Sequence, residues 1–215
     1  MAYESANDTA SRLCSYDFCI NCFHQFKENN ESPRDTKNLE MSLLQLGFYL
    51  ASWGMYRGSS FLHKQSMLGL KGAVEAVSQI AESRPEIWGL DVQNYSDSRY
   101  VEIILETKAR LNGAFGTNKP SETLITKIML GVFGVVPAFD TYFSKATGLR
   151  VLNKKSLAKI LEIYEKEKTL IDKRRRPTKN LRGDDTPLRY TRAKIIDEIY
   201  FEKGFNELTA IEKKS

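Results

Sequence analysis

The side chains able to do chemistry gather in four places. The first is LITKIMLGVFGVVPAFDTYFSKATGL, Leu124 to Leu149, in which Asp140 is the one acid. A carboxylate that follows a Gly- and Pro-bearing turn and opens a helix lies near the positive end of the helix dipole, where it can be aimed into a cleft. The same residue can serve purely as an N-cap, accepting hydrogen bonds from the backbone N–H of Tyr142 or Phe143, and local sequence alone favours the cap. The second place is SWGMYRGSSFLH, Ser52 to His63. Here Arg57 beside Ser59 and Ser60 offers a turn able to hold a phosphate, with His63 close behind; alternatively, Gly54 and Gly58 permit tight helix packing in which the polar groups bond internally. The third gathers Cys14, Cys19, Cys22 and His24 within eleven residues. Three thiolates and an imidazole are a zinc set. A continuous helix through SRLCSYDFCINCFHQF spreads them too widely for one tetrahedral site, so no metal is expected and the cysteines read as small buried apolar residues.

The fourth place is electrostatic. Between Lys173 and Lys194 stand nine basic residues, among them Arg174, Arg175, Arg176, Lys179, Arg182, Arg189 and Arg192, against Asp184 and Asp185, in a chain of net charge +5 and pI about 9.0. A nucleic-acid backbone suits such a segment, since each neutralised phosphate releases counterion. A solvated loop that keeps the protein soluble suits it equally.

The segment around Asp140 also carries a resemblance. An apolar helix, a turn and A-F-D-T-Y-F at Ala138 to Phe143 are similar to the part of the helix-hairpin-helix DNA glycosylases that leads to a V-D-T-H-like catalytic aspartate. That family's hairpin has an L-P-G-V-G pattern ahead of the helix; here Gly113 and Gly116 keep a G-x-x-G spacing without the proline. The resemblance implies that Asp140 stabilises cationic charge on a deoxyribose as a base departs. It implies that Lys119 or Lys127 is the nearby candidate for an attacking amine, and that DNA is favoured over RNA as partner. Such an enzyme takes the base out of the stack, and Phe133, Phe139, Tyr142 and Phe143 are candidates to line the pocket or to pack the core. A second resemblance gives an alternative: Arg57 and His63 fit the R-x(4–6)-H spacing of HEPN ribonucleases, which implies RNA cleavage. A third reading is a helical module without enzymatic activity that binds nucleic acid or an acidic protein.

These residues need elements to hold them. Apolar spacing predicts a largely buried helix over Leu39–Tyr56, with Met41, Leu44, Leu46, Phe48, Tyr49, Leu50 and Trp53 recurring. It predicts another over Phe61–Ile80, closed by Arg84-Pro85, and others over Asp97–Leu111, Ser121–Phe133, Ser156–Lys173 with Ser156 as N-cap, and Thr191–Phe201. In the last, Ile195, Ile196, Ile199 and Tyr200 form the inner stripe, Arg192, Lys194, Asp197 and Glu198 the outer one, and Gly204 a C-terminal stop. Ile87–Val92 is a candidate strand, and the stretches near residues 30 and 180 read as loops.

A chain of 215 residues with 41% hydrophobic composition can bury a sizeable core, and no internal repeat divides it. The expectation is a mainly all-α, compact multi-helix domain over residues 1–215 with a basic loop at about 173–190. The longest apolar run, Ile128 to Phe139, is too short to span a bilayer, and MAYESANDTASRLC lacks the features of a secretory signal, so a cytoplasmic protein is expected. No Walker loop, dinucleotide-binding glycine pattern, G-x-S-x-G elbow or H-E-x-x-H motif is present, and no cofactor is expected.

Overall fold

The computed structural model describes residues 11–212, so the expectation about the N-terminal signal falls largely outside the described residues. Eight α-helices, four short 3-10 turns and one β-hairpin make up the regular structure among them. The helices are α1 (Cys14–Glu28), α2 (Thr36–Ser52), α3 (Lys71–Ser83), α4 (Ser98–Gly113), α5 (Glu122–Phe133), α6 (Thr141–Thr147), α7 (Lys154–Arg174) and α8 (Arg192–Glu212); the strands are β1 (Pro177–Lys179) and β2 (Asp185–Arg189). The mainly α-helical expectation holds. No described helix is long and apolar enough to cross a membrane.

At the centre runs α5, whose residues from Leu124 to Phe133 are all buried, with α1, α2 and α4 packed around it. Its ends are written locally. Ser121 Oγ accepts from Leu124 N at 3.2 Å, and Gly134 closes the helix with φ +67°, a left-handed conformation that glycine adopts without steric cost. Asp140 then opens α6, and Gly148 closes it with φ +75°. The short α6 lies along α8, which also packs on α7.

Several expectations need correction. The stretch Phe61–Ile80 is not one helix: Ser60 and Ser66 cap two successive 3-10 turns, Phe61–Lys64 and Met67–Leu70, before α3 begins. Hydroxyls that hydrogen-bond nearby backbone divert the chain from continuous helix. Ile87–Val92 is not a strand but lies in two 3-10 turns, Pro85–Gly89 and Val92–Asn94, the second capped by Asp91. The N-cap of α7 is Asn153, and Ser156 completes a reciprocal capping box with it at 3.0 and 2.8 Å. Gly204 does not stop α8. A Cβ there would stand 2.0 Å from the carbonyl oxygen of Tyr142, so this glycine lets α6 and α8 approach closely.

The segment read as a basic loop contains the hairpin, with Pro177 opposite Arg189 and Lys179 opposite Asp185. It is fastened to α1: Asn21 Nδ2 donates to Lys179 O at 2.9 Å, and Lys179 N donates to Asp17 Oδ2 at 2.8 Å. Finally, α2 is not buried all round. Met41, Leu44 and Phe48 are 48, 49 and 52% exposed on its outer face.

Candidate functional site

The chain from Gly134 to Asp140 crosses the end of α5 as an irregular segment, which leaves backbone groups that helices would otherwise satisfy. Side chains from α5 and from α8 with its preceding residue meet them. Thr126 Oγ1 accepts from Phe139 N at 2.9 Å, and Thr123 Oγ1 donates to Phe139 O at 2.8 Å, both from α5. Asp197 Oδ1 of α8 accepts from Ala138 N at 2.9 Å, and Thr191 Oγ1 donates to Gly134 O at 2.7 Å. Asp140 is thereby delivered to the start of α6, where its Oδ1 accepts from Tyr142 N at 3.0 Å and Phe143 N at 2.9 Å. The cap expected from sequence is present.

The other carboxylate oxygen is engaged differently. Lys127 Nζ, from the middle of α5, lies 3.4 Å from Asp140 Oδ2, and the two side chains are 5% and 13% exposed. The same ammonium stands 5.1 Å from the centroid of the Trp53 ring, a cation–π distance. Two residues chosen from sequence as candidates for one chemistry are therefore adjacent. Lys119, the other candidate amine, is exposed on the turn ahead of Ser121.

The pair is one end of a larger buried ionic cluster. Lys194 of α8, 3% exposed, places Nζ 3.6 Å from Asp197 Oδ2 and 3.5 Å from Glu198 Oε1. It faces the rings of Tyr16, Trp53 and Tyr190 at 4.8, 5.5 and 5.9 Å. Glu198 in turn takes two hydrogen bonds from Arg176, at 3.0 and 2.8 Å, and that guanidinium lies 4.0 Å over Tyr190. Burial pushes the Asp197 carboxyl above the usual range, opposed by Lys194 and Lys127 and reinforced by Asp140. Burial likewise raises Asp17, against the lowering effect of its hydrogen bonds. Trp53 Nε1 is buried without a hydrogen-bond partner.

Sequence reasoning missed most of this cluster. It put Lys194, Asp197 and Glu198 on a wet stripe of α8, whereas the structure buries all three. Their i, i+3, i+4 spacing was the available signal, since such charges can neutralise one another inside as well as outside. Trp53 was counted as core and is the ring that faces both lysines. Of the four aromatic candidates, Phe133, Phe139 and Phe143 are buried in the core, and Tyr142 packs on Phe201 and Phe205.

The basic segment is largely consumed within the molecule. Besides Arg176, Arg192 bonds Tyr164 at 2.9 Å and pairs with Asp172 at 2.9 Å and Asp91 at 3.4 Å. Arg175 Nε donates to Tyr190 O at 2.8 Å, Arg189 donates to Arg175 O, and Lys179 pairs with Asp185. Arg174 and Arg182 are exposed.

Arg57 and His63 are both exposed, and no hydrogen bond or ring contact joins them; the Arg57 guanidinium folds over Gly54, and His63 Nδ1 lies 2.6 Å from Ser60 O. Ser59 is exposed, and Ser60 Oγ is engaged as a cap by Leu62 N. Cys14 and Cys19 are buried and Cys22 is half-buried along α1. Among the described residues no three His, Cys, Asp or Glu side chains gather closely enough to hold a metal ion.

Fold and site together define a mainly α-helical domain whose buried ionic cluster reaches the surface at a helix-capping aspartate. Comparison of the chain with protein-family models, with curated proteins and with solved structures gives no match.

Proposed function

We propose that the protein acts on DNA as a base-excising enzyme of the helix-hairpin-helix glycosylase kind, with Asp140 and Lys127 as the reacting pair. The observation that supports this reading is their adjacency, 3.4 Å across thirteen residues of chain, in a nearly water-free setting against an indole ring. Charge fixed in advance where a transition state turns positive is the main device such an enzyme needs. As the bond from the base to the sugar breaks, its electron pair leaves with the base, and the sugar becomes cationic beside the Asp140 carboxylate. Its two hydrogen bonds from the helix N-terminus hold that carboxylate in place. Water then adds to the sugar carbon and gives its proton to Asp140; in a lyase variant, the Lys127 ammonium gives a proton to the departing base and the resulting amine adds instead. The exposed Arg174 and Arg182 meet the phosphates.

The test is a panel of labelled single- and double-stranded DNA with damaged bases, treated with alkali to reveal abasic sites. Alkali-sensitive breaks made by the wild type and abolished by Asp140→Asn are the expected result. Borohydride trapping of a covalent adduct lost in Lys127→Met identifies the lyase variant. Absence of breaks on every substrate overturns the reading.

A second reading is favoured by the two short bonds from Tyr142 N and Phe143 N to Oδ1. In it Asp140 is a cap, Lys127 is its counter-ion, and the protein is a non-enzymatic helical module. Binding to DNA that is unchanged in Asp140→Asn, with no cleavage, is its signature.

A further inference from the structure

The outer face of α2 has an order that folding of the single chain does not require. Lys37, Met41, Leu44, Phe48 and Ala51 are all exposed and recur at spacings of four and three, the seam of a helix that packs lengthwise against another helix. Beside this stripe, Met67 fills the space over Gly47, where a Cβ would stand 2.0 Å from its sulfur. Leu68 is 69% exposed. The exposed surface of Met41, Leu44 and Phe48 adds up to roughly 300 Å², the size of the largest apolar patch on a typical monomer, which is often functional, and over a third of what one partner contributes to a stable interface.

Charge identifies the occupant. The N-terminal end of α2 carries the exposed acids Asp35 and Glu40, while Lys37 there is paired with Glu31. Just beyond its C-terminal end stands the exposed cation Arg57. A second copy laid antiparallel about a two-fold axis at Leu44 brings each acidic end against the partner's basic end. It also opposes the two helix dipoles and sets the small Ala51 opposite the long Lys37. A surface that is complementary to itself in this way is what an isologous dimer requires.

We propose that the outer face of α2 is the interface of a homodimer, with the two α2 helices antiparallel and crossing at Leu44. Sedimentation equilibrium of the full chain across micromolar concentrations gives twice the 24.6 kDa chain mass. Leu44→Glu opposes two carboxylates at the axis and weakens the dimer by about 30-fold or more. Its helix content and thermal midpoint at monomeric concentration match the wild type, because Leu44 is exposed in the single chain. Leu181→Glu, on the exposed turn of the hairpin, leaves the dimer unchanged.

Under oxidation, Leu44→Cys forms an inter-chain disulfide that Met41→Cys and the wild type do not. Equal cross-linking at both introduced positions overturns the antiparallel arrangement. A chain monomeric at every concentration, a dimer that survives Leu44→Glu, or a stripe covered by a different protein overturns the proposal.

Discussion

If Lys127 and Asp140 form one buried ionic unit, their substitutions must not add. At 3.4 Å the gross attraction is about 5 kcal/mol for an effective dielectric near 20, and desolvation of two nearly buried ions takes back much of it. Asp140→Asn keeps an acceptor for Tyr142 N and Phe143 N, since asparagine caps as well as aspartate, so the cap survives. What it removes is the counter-charge of an ammonium 5% exposed. Breaking such a pair from one side costs roughly 3–5 kcal/mol. Asp197 also attracts Lys127, which lowers the expected cost to about 2.5 kcal/mol. Lys127→Met keeps the apolar stem and leaves Asp140 on two N–H donors at a helix start, so it costs about 1 kcal/mol. The double variant has neither stranded charge and costs about 1.5 kcal/mol, a coupling of about 2 kcal/mol. Urea unfolding of the four proteins at neutral pH measures it, and the thermal midpoint of Asp140→Asn falls by roughly 5–10 °C. A coupling under about 0.5 kcal/mol would show that the two charges do not sense each other, and the reacting pair would lose its basis.

Other consequences are more local. Gly204→Ala drives a methyl into the Tyr142 carbonyl and forces α6 from α8, with an expected loss of about 2 kcal/mol or more by urea denaturation. Arg176→Ala strands Glu198 with Lys194 as its remaining cation and uncovers Tyr190; about 2–3 kcal/mol is expected by the same assay, while Arg176→Lys recovers part of it. His24 is held down to about 4 by burial, with Lys27 adding to the shift, so the native ring stays neutral where the unfolded chain protonates near 6.5. Stability from this group is therefore complete above pH 6.5 and falls by up to about 3 kcal/mol as pH drops toward 4. Burial raises Asp17 and Asp197, which titrate with the opposite sign, so the comparison is the acid limb of His24→Phe against wild type, and an unchanged limb contradicts the assignment.

Local rules were sufficient wherever the structure is local. The apolar run of α5, the Ser121 cap, the Asp140 cap and the bodies of α4 and α7 follow from spacing and from short-range hydrogen bonds, which sequence displays directly. Failures occurred where partners come from afar. Lys194, Asp197 and Glu198 were assigned to solvent because a charge alone on a helix face belongs there; each is buried because Arg176, Lys127 and three aromatic rings converge on that face. The hairpin was invisible for a related reason. Two strands of three and five residues, each holding a proline, show too little alternation to announce themselves, and what fixes them is Asp17 and Asn21 of α1. Met41, Leu44 and Phe48 show the converse error, an apolar seam taken for core.

The basic segment shows how far a charge count can mislead about a polyanion. Nine cations between Lys173 and Lys194 suggest nine phosphate contacts, and a slope of log affinity against log salt near −8 for duplex DNA. Arg176, Lys179, Arg192 and Lys194 are held in ion pairs, however, and Arg175 is turned onto the Tyr190 carbonyl. That leaves Lys173, Arg174 and Arg182, together with Arg189, which is exposed even though it donates to Arg175 O. Four contacts give a slope of about −3.6. Fluorescence anisotropy of a labelled duplex titrated at several salt concentrations distinguishes the two values. Arg174→Ala with Arg182→Ala should lower the steepness by about 2, whereas Lys194→Met should leave it unchanged. A wild-type slope steeper than about −6 would require the buried pairs to open on DNA. The cluster around Lys194 would then be part of the binding surface, and its stability in the free protein would be a barrier that binding must overcome.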